Sequence, residues 1–383
     1  MDDITQLAVA DRINTNRIHG LDTLRATAII LVYIYHLGFV AHKPVFDIGW
    51  VGVDLFFVLS GYLIGNQIFT DIAHKRNFSI KIFIMRRLFR TVPNYLLVLI
   101  LYLFVTGFRD QPTLPPLWKL LTFTSNFGLK TGTAFSHAWS LCIEEQFYLA
   151  LPIIAVFVYY KKSLKLAWYL IAFTLISGMA LRAYMWVTYT DGMSQNPDLF
   201  NYKSYYMYIY YFTLCRLDPI ICGVIIAIVR NFYSQYWYKI TSRGNLCLTL
   251  GIISLSVTCY IFMNHGYIYQ YSLTPTIIGF PMLGISFGLL VISALSPNSI
   301  LHKTKVPFAK TIAILSFAIY LIQKPLDHLT ASTLIKYNLV SNANTIMFIC
   351  TALVSILGGW LLYTFIETPF LKLRDKLYSK PKL

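Results

Sequence analysis

Arg25 and His36 stand eleven residues apart in the apolar run LDTLRATAIILVYIYH. At 100° per residue, eleven steps return to within about 20° of the starting direction, and the helical rise sets the pair about 16 Å apart on one face. An imidazole planted that deep can act as a general base, provided an acid holds it in one tautomer. A candidate acid lies in HAWSLCIEEQFYLALP at 137–152. There His137, Glu144 and Tyr148 fall at i, i+7 and i+11 on one helical stripe, while Glu145 points about 100° away. Counting from the helix ends puts Glu144 and His36 at similar depth on antiparallel helices, where the two side chains could meet.

Three more clusters put polar groups where apolar ones are expected, and an ionisable side chain at mid-bilayer costs several kcal/mol unless it is paired or faces water. In FIMRRLFRTVPNY at 83–95, Arg86 and Arg90 are at i, i+4 and Arg87 and Arg90 at i, i+3. Guanidinium groups grouped in this way suit a diphosphate or 3′-phosphate on a nucleotide. They equally suit an orientation signal that touches lipid headgroups, and both readings stand. In IGWVGVDLFFVLSGYLIG at 48–65, Asp54 lies about one turn into a helix, and the small pair Ser60 and Gly61 permits close helix approach. In CRLDPIICG at 215–223, Arg216 and Asp218 flank Leu217 just before Pro219, near enough to neutralise each other in a structural role or to take part in chemistry.

The elements that must carry these groups are apolar helices. The 383 residues are 57% hydrophobic and 13% charged, with a mean hydropathy of +0.59, against roughly 25% charge in a soluble domain. That excludes a soluble globular protein. Candidate spans run over about 25–42, 50–70, 92–107, 138–160, 166–187, 205–229, 246–264, 274–295, 308–326 and 345–370. The fold class expected is therefore an all-α integral membrane protein of about ten transmembrane helices. The eighth run, interrupted by Pro275 and Pro281, is the one most suited to bending or re-entering. One set of alternate connections holds 23 Lys and Arg and the other 6, which places both termini in the cytoplasm. With no internal repeat, residues 1–383 read as one membrane domain, with a cytoplasmic N-terminal segment at 1–24 and a basic cytoplasmic tail at 371–383.

The net charge of +16 suits an anionic membrane surface or a phosphorylated ligand. It suits nucleic acid poorly, because the basic residues sit in short loops between apolar runs. The six cysteines lie in apolar stretches without CxxC or HxxxH spacing, so they read as small core residues and no metal is expected. The polar, acid-containing start lacks the basic and early apolar regions of a secretory signal. His19, His42, His74, His265, His302 and His328 fall in loops or at helix edges. The run KSYYMYIYYF at 203–212 reads as an aromatic belt at the membrane interface in preference to a sugar-stacking surface. Glu367 either pairs with the arginine cluster or caps its helix.

Taken together the segments resemble the acyltransferase type 3 family of bacterial membrane enzymes that O-acylate glycans. The resemblance rests on Arg25-x10-His36, on GVDxFFVLSGYLI at 52–64 and on RRxxRxxPxY from Arg86 to Tyr95. It rests further on HxWSLxxExxFYxxxP from His137 through Trp139, Ser140, Glu144 and Tyr148 to Pro152. RLDxxxxG at 216–223, SFAIYLIQKP at 316–325 and ETPF at 367–370 complete the family's order. The family implies transfer of an acyl group, often acetyl, from cytoplasmic acyl-CoA to a hydroxyl of a cell-surface or lipid-linked glycan, such as lipopolysaccharide, in the bacterial inner membrane. Carried over by residue, His36 is the catalytic histidine and Glu144 the motif carboxylate. Arg87 and Arg90, with Arg86 beside them, bind donor phosphate, and Arg25 stands near the cytoplasmic mouth. Asp54, Ser60, His137, Trp139, Ser140, Tyr148, Arg216 and Asp218 are substrate or structural support. Members commonly carry a histidine where this chain has Gln323, so no catalytic role is expected there. Many also append an extracytoplasmic esterase-like domain. Here the chain ends about a dozen residues after its last run, which implies a reaction completed within the membrane domain or with an envelope-biosynthesis partner protein. A transporter or flippase for an anionic or lipid-linked substrate would also explain buried Arg, His and Glu. It leaves the arginine cluster and the deep histidine unconnected.

Overall fold

A computed structural model describes residues 18–37, 47–74, 78–105, 107–190, 201–264, 272–337 and 345–378, and every regular element within them is helical. Asp2, Asp3, Asp11, His42, His265 and the tail beyond residue 378 lie outside the described residues. The principal helices are α1 (His19–His36), α2 (Val51–Ala73), α3 (Ile80–Phe104), α4 (Trp139–Tyr160), α5 (Leu164–Tyr189) and α6 (Asp218–Phe232). They continue with α7 (Ser234–Thr241), α8 (Gly244–Asn264), α9 (Phe280–Leu295), α10 (Ala309–Lys336), α11 (Thr345–Leu362) and α12 (Thr368–Leu377).

Among the described residues eight helices are long and apolar enough to cross a membrane, and a ninth span exists if α6 and α7, bent by 113° at Tyr233, count as one. α1 falls short of that standard because His19, Asp22, Arg25 and His36 occupy four of its eighteen positions. The span expected over 205–229 is broken. A π turn at Tyr206–Tyr210 and a 3-10 turn at Thr213–Cys215 precede α6, which starts only at Asp218 with Pro219 in its first turn. Irregular backbone at this depth is tolerable because it is buried in protein. The eighth run starts as a π turn at Pro275–Gly279 and continues straight into α9, so the prolines start a spanning helix without turning it back.

Burial sorts the helices into an inner and an outer group. In α2 78% of the span is covered by protein, and in α9 and α10 61%; α5 at 11% and α8 at 22% face outward. The α2 and α6 backbones cross closely at Gly61 and Gly223: a Cβ at Gly61 would strike the carbonyl of Ile220, and one at Gly223 the carbonyl of Val58. Only glycine permits that approach. α1 packs along α2 and α10, and so reaches α10 with its last turn.

Candidate active site

His36 occupies the final turn of α1, half-buried, with Nδ1 2.9 Å from the Gln323 side-chain amide on α10. Its ring centroid lies 6.3 Å from that of His137. His137 is placed by a tight reversal: Phe135 takes the left-handed conformation at φ +58°, unusual for a bulky residue. Its ring is wedged against Tyr102 at 4.7 Å, His137 at 5.2 Å and Tyr95 at 5.3 Å. The turn Ser136–Ala138 then leads into α4. His137 Nε2 is 3.1 Å from the Leu321 carbonyl, which can only accept, so the hydrogen is on Nε2. Its Nδ1 is a buried lone pair with no partner among the described residues. Lys324 stands beside the two rings, bonded to Asp110 at 2.7 Å and to Ser136 Oγ at 3.3 Å. His36, His137, Lys324 and Asp110 lie within mutual electrostatic reach.

Glu144 is elsewhere. Its carboxylate accepts from Ser60 at 3.2 Å and from Tyr148 at 2.6 Å, and Tyr148 also donates to Ser60 at 3.1 Å. The similar depth expected for His36 and Glu144 fails because α1 is capped at Leu37, which puts His36 at the helix end and level with His137. Glu144 is seven residues, about 10 Å, farther along α4. Between the two levels Ser140 meets Tyr320 at 2.5 Å, and Tyr320 donates to the His137 carbonyl at 2.5 Å. His137 in the turn before α4 and Ser140, Glu144 and Tyr148 on one stripe of α4 thus form a polar line through an apolar interior.

Arg216 and Asp218 do not neutralise each other. Arg216 pairs with Asp54 on α2 at 2.9 Å, and Asp218 pairs with Arg182 on α5 at 2.5 Å. All four side chains are at most 2% exposed. The reason is local: α6 starts at Asp218 with Pro219 in its first turn, while Arg216 closes the preceding Thr213–Cys215 turn. Arg182 also donates to the Cys215 and Ile277 carbonyls, binding the broken segment to α5 and the π turn before α9. Aromatic rings enclose Arg216: Phe280 at 4.0 Å, Tyr210 at 4.6 Å and Trp139 at 5.4 Å. The tyrosine run is correspondingly interior. Tyr205, Tyr210 and Tyr211 are buried, and Trp139 packs on Tyr210 at 4.9 Å. The Arg216 guanidinium takes the face of Tyr210 where an interfacial belt was expected.

The arginines converge at the opposite end of α2. Arg86, Arg87 and Arg90 from α3, Asn66, Gln67, Thr70 and Asp71 from α2, and Arg374 from α12 line a cavity of about 400 Å³. Gln67 accepts from Arg87 at 2.7 Å. Arg25 lies within electrostatic reach of Arg87 and of Glu144. Glu367 accepts from Asn94 at 2.8 Å and senses Arg90.

Gln323, Lys324, Asp110 and Arg374, and the polar α2 residues Asn66, Gln67, Thr70 and Asp71, are not among the site residues expected from the sequence. Gln323 was discounted for being a glutamine. Lys324 was visible as a charge within an apolar run, which is itself a signal. Asp110 and Arg374, one in a long connection and one past the last span, had no local signal at all.

The model of a family described as an acyltransferase domain matches residues 18–364. Peptidoglycan O-acetyltransferase OatA of Listeria monocytogenes is 27% identical over 382 residues, covering 94% of this chain and 57% of that protein. O-acetyltransferase OatA of Staphylococcus aureus is 26% identical over 381 residues, covering 94% of this chain and 58% of its own length. The chain therefore spans little more than half the length of these curated relatives. No solved structure matches it. With the match running over nearly all of the helical membrane region that carries both sites, this protein belongs to the acyltransferase type 3 family.

Proposed function

We propose that this chain is an O-acyltransferase of the bacterial inner membrane that moves an acyl group, acetyl by kinship with the named relatives, from cytoplasmic acyl-CoA to a hydroxyl of a cell-surface or lipid-linked glycan. One observation carries the reading: a four-arginine cavity at one end of α2 and a two-histidine cluster at the start of α4 are joined by the α4 polar stripe. From Tyr148 to His137 that stripe spans eleven residues, about 16 Å. A thioester arm entering from the arginine end and an alcohol entering from the histidine end meet at His36. The arginine-rich end faces the cytoplasm in this reading, in agreement with the bias of Lys and Arg between connections.

The guanidinium groups fit phosphate oxygens, which they can bind through paired donors. His36 Nε2 takes the proton of the acceptor hydroxyl as that oxygen bonds to the thioester carbonyl carbon. The tetrahedral centre then expels the sulfur, and the proton held by His36 passes to it, so ester and thiol leave together and the ring returns unprotonated. For Nε2 to be the base, Nδ1 must carry the hydrogen, so the Gln323 amide presents Oε1 to it. Lys324 provides positive charge for the oxyanion. Glu144, bonded to Ser60 and Tyr148, positions the stripe and touches no reacting atom.

The test is reconstitution in proteoliposomes with acetyl-labelled acetyl-CoA and a lipid-linked glycan. Label should move to the glycan as an alkali-labile ester, and His36→Ala should abolish it. Wild-type transfer by His36→Ala would remove the mechanism. Net movement of an unlabelled lipid-linked substrate without ester formation would favour a flippase.

A further inference from the structure

α12 lies beyond the residues that the family match covers, yet it is packed onto the arginine cavity. Phe89 of α3 meets Phe370 at 6.5 Å and Tyr378 at 5.8 Å, and Arg86 donates to the Tyr378 carbonyl. Arg374 from this helix lines the cavity with the three arginines of α3. A single carboxylate oxygen, Asp375 Oδ1, then draws two of these groups together: Arg374 Nη2 at 2.7 Å and Nε at 2.8 Å, and Arg86 Nη2 at 3.6 Å. Two guanidinium groups from distant parts of the chain thus converge on one anionic oxygen at the rim of a basic cavity. Asp375 is 57% exposed and Arg374 only 19%, so the acid is the more easily displaced partner.

We propose that α12 forms part of the donor site. Arg374 is a fourth phosphate-binding arginine, and Asp375 is a built-in competitor that a phosphate group of the nucleotide must displace from Arg374 and Arg86. This rests on the reading of the cavity as the acyl-CoA site. It has an unusual consequence: adjacent substitutions act with opposite sign. Loss of Arg374 removes a paired donor from the ligand, whereas loss of the Asp375 charge frees two donors for it. The same chemistry could serve an anionic lipid headgroup, and the experiment separates the two sources.

Binding of CoA to the full chain in phosphatidylcholine nanodiscs is measured by calorimetry, with pantetheine, which lacks the phosphates, as a second probe. Arg374→Ala should weaken CoA binding about fivefold to tenfold and Asp375→Asn should tighten it about twofold to fivefold, the range of partly exposed charge contacts. Arg374→Lys should fall between wild type and Arg374→Ala, and pantetheine binding should be insensitive to all three. Arg87→Ala with Arg90→Ala tests the cavity itself. If that pair weakens CoA binding while Arg374→Ala and Asp375→Asn leave it unchanged, the donor site stands and the role of α12 is overturned. If none of the arginine variants alters CoA binding, the donor reading falls and takes the inference with it. An Arg374→Ala effect that appears only in phosphatidylglycerol nanodiscs would assign the phosphate to lipid and overturn the nucleotide assignment.

Discussion

Gln323→Leu should separate catalysis from stability. The Gln323 side chain is fully buried, and its one hydrogen bond is the 2.9 Å contact with His36 Nδ1. The other end of the amide, Oε1 as placed, has no partner among the described residues. A buried hydrogen bond contributes about 0.5–1.5 kcal/mol net, so losing the group that selects the Nδ1–H tautomer should lower kcat roughly threefold to tenfold. The acceptor and donor sites are untouched, so KM for both substrates should hold. Folding should lose little, because the bond to His36 Nδ1 is worth only about 0.5–1.5 kcal/mol net and removing the unpartnered end of the amide offsets part of that loss. The melting temperature in detergent should therefore stay within a few degrees. Gln323→Glu keeps an oxygen at the same reach and should retain activity within about threefold, whereas Gln323→Asn withdraws the amide by about one bond length, 1.5 Å, beyond hydrogen-bonding distance, and should behave like leucine. The assay is initial-rate acetyl transfer by reconstituted protein at saturating donor, with thermal unfolding run in parallel. Wild-type kcat in Gln323→Leu, or equal losses in the leucine and glutamate variants, would refute tautomer control and leave the residue a packing role.

Other consequences concern the scaffold and the stripe. Arg216→Met should destabilise the fold by about 3–5 kcal/mol, since it strands Asp54 as a buried unpaired charge, and Arg216→Met with Asp54→Leu should recover much of that loss in a thermal-unfolding cycle. An additive double variant would mean that the pair is not coupled. Glu144→Gln keeps an acceptor for Tyr148 and Ser60, so its activity should fall far less than that of His36→Ala; equal loss would put the carboxylate back in the chemistry. Gly223→Val should prevent assembly, because the new side chain meets the Val58 carbonyl and the Tyr62 amide nitrogen of α2. A folded, active variant by gel filtration and transfer assay would show that the helices can separate at this crossing.

The sequence revealed residue types and the face each takes on its own helix well, and relative depth and partners across helix gaps poorly: Glu144 meets Ser60 and Tyr148, not His36. Helical periodicity placed His137, Glu144 and Tyr148 on one stripe, and that stripe exists because 3.6-residue periodicity is intrinsic to a helix. What periodicity cannot supply is the partner across a helix gap. Arg216 finds Asp54 from 162 residues away and not Asp218 two residues on. The aromatic run at 203–212 reads as interfacial because tyrosines usually are, yet Tyr205, Tyr210 and Tyr211 are buried and Tyr210 stacks on the Arg216 guanidinium. The broken span before α6 was hidden for a related reason: its apolar composition is that of a helix, and only tertiary partners make the interruption affordable. Gln323 has no intrinsic basicity to mark it in the sequence, and its 2.9 Å contact with His36 depends on how α1 and α10 pack.

Why the two sites are fixed relative to each other follows from where the buried charges are. Arg182–Asp218 and Arg216–Asp54 tie α5, α2 and the start of α6 together with all four side chains at most 2% exposed. Breaking either pair leaves an uncompensated charge, so these helices resist sliding more than apolar packing alone would make them. α2 is the element they hold. It contributes Ser60 to the Glu144 cluster and Gln67 to the arginine cavity, while α4 carries the stripe from that cluster to His137. A shift of α2 by one helical turn, about 5.4 Å, would break the Ser60–Glu144 contact and withdraw Gln67 and the α2 wall of the cavity from Arg87 in the same motion. If transfer runs along the stripe as proposed, weakening the ion pairs should lower transfer rates, through distance, before it unfolds the protein.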